Sequence, residues 1–170
     1  MTFRFDRLAA PVAALILTLA VPACAQSAPA PGSCSPQPVK STAIVRAPLA
    51  NLRLSVADDG ASRSYGLMCV LALLPRSGMI FVFSGGDQSR TFWMKDTLIP
   101  LDMVWVTAGG NVTTVAANVP ATTVDTPDAD IPTRNGVGTY VIELAAGEAA
   151  RDGIKPGVRL DVSQVGRSKD

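Results

Sequence analysis

Short apolar segments of strand length, each closed by turn residues, recur along this chain and leave little room for a helical architecture. Leu52, Leu54 and Val56 alternate with Arg53 and Ser55, the period of two that lays one face of a strand on a core. Gly78 to Phe83 is instead a continuous apolar run ended by Ser84, Gly85 and Gly86, which predicts a strand covered on both faces. Thr91 to Met94 reads as another strand, and Leu101 to Thr107 turns through Ala108, Gly109, Gly110 and Asn111 into Val112 to Ala117 as a hairpin. Tyr140 to Leu144 and the alternating Val158, Leu160, Val162 complete the set. Helices are expected in two places. Asp58 and Asp59 offer an N-cap to Ala61, Tyr65, Met68 and Ala72, with Pro75 as the stop, and a short turn spans Glu148 to Asp152. Residues 119–136 carry Pro120, Pro127, Pro132, Asp125, Asp128 and Asp130 and are expected to form a long loop. The expected fold is mainly β, a small sandwich or barrel with one or two short helices.

The first residues have a different character. Arg4 and Arg7 precede an apolar stretch from Leu8 to Val21, followed by Ala23, Cys24 and Ala25, the order of a secretory signal with cleavage after Ala25. Pro11 and Pro22 break the run, which falls short of the roughly 20 apolar residues of a bilayer span. Val21, Pro22, Ala23, Cys24 also loosely matches a lipoprotein signal, in which Cys24 is acylated and kept. The expected organisation is a signal over residues 1–25, a Pro-, Ala- and Ser-rich tether over residues 26–38, one β-rich domain over residues 39–166 and a short tail over residues 167–170. A periplasmic or secreted location follows, with no spanning segment once the signal is removed; a lipid anchor at Cys24 is the alternative.

Cleavage at Ala25 leaves Cys34 and Cys69. An oxidising compartment permits a disulfide between them, stabilising by roughly 3 to 4 kcal/mol for a loop of about 35 residues. A buried thiol at Cys69 with an unpaired Cys34 is the other reading. Loss of the signal also balances acidic and basic residues, so no nucleic-acid partner is expected. The chain has no histidine, which excludes His-ligated zinc sites, Ser/His/Asp triads and Cys/His dyads.

The densest distinctive run is Phe92, Trp93, Met94, Lys95, Asp96, Thr97, Leu98, Ile99, Pro100, Leu101, Asp102. With Arg63, Gly66, Leu67 and Met68 upstream, Gly78, Met79, Phe81 and Phe83 between, and Val141 to Leu144 and Gly147 downstream, it resembles the domain-of-unknown-function 192 family over about Leu52 to Val162. The resemblance implies a small jelly-roll-like β-sandwich, often exported, and implies no activity. The chain departs from the family pattern in three places. Cys69, Val70 and Leu71 offer no arginine after the Gly66, Leu67, Met68 triplet, Asp96 stands where asparagine is commoner, and the 119–136 loop lacks a cysteine.

Lys95, Asp96 and Asp102 lie among apolar residues, where an ionic group requires a partner. Arg63 and Glu143 are the candidates. Two readings stand: a structural ion pair pinning the strand connection, or a pocket where Arg63, Lys95, Asp96, Asp102 and Glu143 converge beside a Trp93 wall. Such a pocket suits a small polar molecule, such as a sugar or peptide fragment, or an envelope component. A carboxylate-dependent hydrolase built on Asp96, Asp102 or Glu143 is an alternative, and a structural or partner-binding module a third. No motif assigns catalytic residues or a cofactor. Met68, Met79, Met94 and Met103 with Cys69 could form a soft Cu(I) site, but untightened spacing favours core packing, and no metal is expected.

Overall fold

A computed structural model describes residue 1 and residues 34–167, so residues 2–25 of the expected signal, with Cys24, residues 26–33 of the expected tether and residues 168–170 of the tail lie outside the described residues. In order come β1 (Thr42–Arg46), β2 (Asn51–Ala57), α1 (Gly60–Tyr65), β3 (Ser77–Val82), β4 (Gln88–Trp93), β5 (Leu101–Val106) and β6 (Val112–Val119). A 3-10 turn (Asp128–Asp130), β7 (Thr133–Gly138), β8 (Tyr140–Ala145) and α2 (Glu148–Arg151) follow. One sheet has six strands in the order β1-β2-β3-β8-β5-β6, and a second has β4 and β7. Among the described residues only β2 and β3 run parallel, joined by the crossover that carries α1. The fold is mainly β and sandwich-like, and the sheet is not closed into a barrel.

Alternation sorts the large sheet into two cores. Leu52, Leu54, Ile80, Val104, Val106, Ile142 and Leu144 face one side, where Ala149, Ile154 and Leu160 cover them. Met79, Phe81, Met103, Trp105 and Val141 face the other, against Leu67, Met94, Ile131 and Phe92. The continuous apolar runs of β3, β5 and β8 arise because these central strands are covered on both faces. Every residue of β5 is buried, Asp102 included.

The second sheet lies on the Trp105 side. The Trp105 Nε1–H donates to the Arg90 carbonyl at 2.9 Å, and Phe92 stacks edge-on to Phe81 and Trp105 at 4.8 and 6.1 Å. The expected 119–136 loop is shorter than predicted because β7 begins at Thr133. Its inward residues are Gly136 and Gly138, so the strand shows no apolar alternation. A Cβ on Gly136 would sit 2.5 Å from the Trp105 ring, and one on Gly138 would sit 2.6 Å from the Val106 carbonyl oxygen. Glycine lets the small sheet approach a large ring.

Two other expectations are corrected. α1 stops at Tyr65, and Ala72 is exposed rather than on a helical face. Gly66 (φ 55) and Cys69 (φ 66) are left-handed, and the Cys69 N–H donates to the Asp96 carbonyl at 2.8 Å, so tertiary bonding overrides the helical spacing. Val158 to Val162 forms no strand. It makes one bridge to β1 (Arg46 with Asp161) and one to the hairpin turn (Asn111 with Arg159), because it crosses from one strand end to another.

Gly136→Ala is expected to destabilise the fold by about 1 to 3 kcal/mol through this steric conflict. Urea denaturation measures it, and an unchanged midpoint would show that the small sheet can lift off Trp105 without cost.

Candidate functional site

The cleft of interest lies between α1 with its following loop and the turn after β4. Asp59 caps α1: the Ser62 N–H donates to Asp59 Oδ1 at 2.8 Å, and the Asp59 N–H donates to Ser62 Oγ at 3.3 Å. Lys40 pairs with Asp59 at 3.0 Å, and these bonds hold the Asp59 carboxyl well below the usual carboxylate range. The capped helix presents Arg63, which donates to the Val82 carbonyl at 3.1 Å and lies over the Phe83 ring at 5.1 Å. Arg90 stacks on the same ring at 3.9 Å.

Residues 34–38, expected to belong to a free tether, instead brace this helix. Cys34 and Cys69 form a disulfide with Cα atoms 5.3 Å apart. The Gln37 amide donates to the carbonyls of Ser62 and Gly66 at 3.0 and 2.8 Å, satisfying the end of α1, and the Tyr65 hydroxyl donates to the Ser35 carbonyl. Of the two cysteine readings, the bonded one is correct. The bond also takes up the thiolate considered for Cu(I), and Met79, Met94 and Met103 are buried in one core cluster.

The opposite wall is the turn after β4. Trp93 is 48% exposed. Beyond it the Thr97 N–H donates to the Met94 carbonyl at 3.1 Å, and Thr122 donates to the same carbonyl through its hydroxyl. Asp96 has φ 50, a conformation that asparagine and aspartate tolerate better than most residues. Lys95 lies over the Trp93 ring at 5.6 Å and pairs with Asp128 at 2.8 Å, which raises the Lys95 ammonium above its ordinary value.

The floor is Glu143 on β8. The register places it between Met79 on β3 and Met103 on β5. It is 4% exposed, and among the described residues no hydrogen bond reaches its carboxyl. Burial pushes its pKa up to about 8. Glu143, Arg63, Trp93 and Lys95 line one cavity of about 30 Å³ together with Leu67, Met68, Phe92 and Thr97. Arg63, Ser64, Phe92 and Trp93 also line an outer groove of about 290 Å³ with Phe83 and Thr91.

Two residues expected at the site stand elsewhere. Asp96 does not line the cavity; its carbonyl serves Cys69. Asp102 pairs with Leu144 and alternates with Met103, so it faces the other side of the sheet from Glu143. There it is fully buried and accepts from the Asn118 and Ala149 backbone N–H groups at 2.8 and 3.0 Å. It captures Asn118 beside the irregular register of β5 with β6, and it caps α2, whose own N-cap is Gly147. Asp102 is therefore structural. Sequence reasoning missed Phe83, Phe92 and Ser64 as groove residues; the strand alternation of β4, with Phe92 inward and Trp93 outward, carries part of that signal. Among the described residues no group of three or more His, Cys, Asp or Glu could hold a metal ion.

The DUF192 family model, described as an uncharacterized ACR, matches residues 43–162. A crystal structure of a protein from Sinorhizobium meliloti 1021, described as a candidate transcription regulator, is similar at 29% identity and a TM-score of 0.64, covering 74% of this chain and 96% of that one. A protein of unknown function from Novosphingobium aromaticivorans DSM 12444 is similar at 29% identity and a TM-score of 0.57, covering 76% and 93%. No curated protein matches.

Two outcomes follow from this geometry. Replacing Cys34 with serine is expected to cost about 3 to 4 kcal/mol of stability, and thiol counting on the denatured wild type should find neither cysteine free. A pair of free thiols would refute the bond. For Glu143, the folded chain retains a proton that the unfolded chain loses above its ordinary value of 4.5, so stability falls as pH rises from there to about 8. The total fall is on the order of 5 kcal/mol. Glu143→Gln removes it, giving urea midpoints that are flatter across this window and higher than wild type at its alkaline end. Parallel profiles would place the Glu143 carboxyl in water.

Proposed function

We propose that this chain, which belongs to the DUF192 family, is an exported domain that binds a small polar ligand, free or part of the cell envelope, in the cleft between α1 and the turn after β4. One observation carries the reading: Glu143 is buried at a cavity floor without a hydrogen-bond partner, flanked at the rim by Arg63, Lys95 and Trp93. A buried acid that serves only the fold normally has a partner, as Asp102 does, because leaving it unmade costs stability. An unmet group beside an opening is suited to a ligand that completes it.

Export is supported by the signal-like first 25 residues, of which residues 2–25 lie outside the described residues, and by the disulfide, since such bonds persist in oxidising compartments. The hydrolase alternative is weaker, because Asp102 faces away and Glu143 is the one acid in the cavity lining. The description of the Sinorhizobium protein is said of that protein, and the nearly balanced charge of this chain lends it no support here.

The test is mass spectrometry of small molecules that co-purify with the periplasmic protein, whose mature N-terminus should be Gln26. A species carried by wild type and lost from Lys95→Ala and Trp93→Ala variants is expected. Identical profiles, or a product retained in the cytoplasm with residues 1–25 attached, would contradict the reading.

A further inference from the structure

The cavity and the groove divide the site by size. A space of about 30 Å³ admits one functional group, whereas the adjoining groove of about 290 Å³ admits the body of a small molecule. They also differ in chemistry. The groove is walled by Phe83, Phe92 and Trp93, with Ser64 and Thr91 as its hydroxyls. The cavity is bordered by two cationic side chains and holds one carboxyl.

Resting on the proposed binding role, we infer that the ligand carries an oxyanion end, a carboxylate being the simplest, which enters the cavity beside Glu143 while a planar or apolar body lies on Trp93 and Phe92. The charged groups that line the cavity decide the sign. Its strand neighbours Met79 and Met103 are uncharged, α1 and its C-terminal residue present Arg63 and Tyr65, and the turn presents Lys95. Arg90 adds positive charge against the Phe83 ring, where burial and then the Arg63 charge lower its own pKa. The acids paired with or preceding these elements, Asp128 against Lys95, Asp59 against Lys40, and Asp58 before α1, do not line the cavity. An ammonium group entering here meets Arg63 and Lys95 unfavourably. A carboxylate is attracted by both and accepts a hydrogen bond from the O–H of the buried Glu143 carboxyl, which keeps its proton at neutral pH.

The experiment uses benzoate, benzylamine and benzyl alcohol, three probes with one ring and different ends, titrated into the purified full domain. Binding is followed by Trp93 fluorescence, with Trp93→Phe as the control for signal from Trp105. Benzoate should bind in preference to the other two, and its affinity should weaken about tenfold between roughly pH 6 and pH 9 as the fraction of protonated Glu143 falls. Glu143→Gln should still bind benzoate, without the alkaline loss, and Arg63→Gln should bind it more weakly at every pH. Preference for benzylamine with affinity rising with pH, or equal binding of all three, overturns the oxyanion assignment while leaving the binding site in place. No binding by any probe overturns both.

Discussion

The interior of the large sheet is buried on both faces, and the rest of the molecule is arranged to cover them. β3, β8 and β5 form its centre, and the side chains of these strands divide evenly between two cores. On one side, α2 and the chain after it cover the aliphatic residues. On the other, the β4 and β7 pair, the loop after α1 and the braced segment at residues 34–38 share the work. The candidate site lies where that second cover is incomplete, between the end of α1 and the turn after β4.

Two buried acids on adjacent central strands show what such a covering does to chemistry. Asp102 and Glu143 differ by a single step in face, yet one receives two backbone N–H groups and the other none. Asp102 meets the start of a helix and an irregular strand edge, both sources of unpaired backbone donors. Glu143 meets two methionines and an opening. The first acid is held by the fold through backbone donors, and the second lies at the cavity without them. Their opposite placement follows from the period of two along each strand.

The braced N-terminal segment links stability to the site. Cys34 is bonded to Cys69, Gln37 satisfies the end of α1, and the Cys69 N–H joins the loop to the turn that carries Lys95. Both walls of the cleft are thus fixed through residues around Cys69. That loop residue takes a left-handed backbone that its side chain does not favour, held by the hydrogen bond and the disulfide together.

Much of the architecture was legible in the sequence. The period of two in β2, the unbroken apolar runs of β3, β5 and β8, and the Gly-rich hairpin turn are local consequences of which faces are covered. β7 was not legible, since its inward positions are Gly136 and Gly138, and glycine marks a close approach only once the ring it approaches is known. The length of α1 was misread because the spacing of Met68 and Ala72 is helical, whereas long-range bonds to Asp96 and Cys34 decide the backbone there. For the site, the sequence by itself determined which ionisable groups lie in apolar surroundings, and of these Arg63, Lys95 and Glu143 line one cavity with Trp93. Only the tertiary structure decided that Asp102 belongs to the other face and that the cysteines meet. Facing depends on strand register and disulfide pairing on the approach of distant segments, and both are settled by how the layers pack.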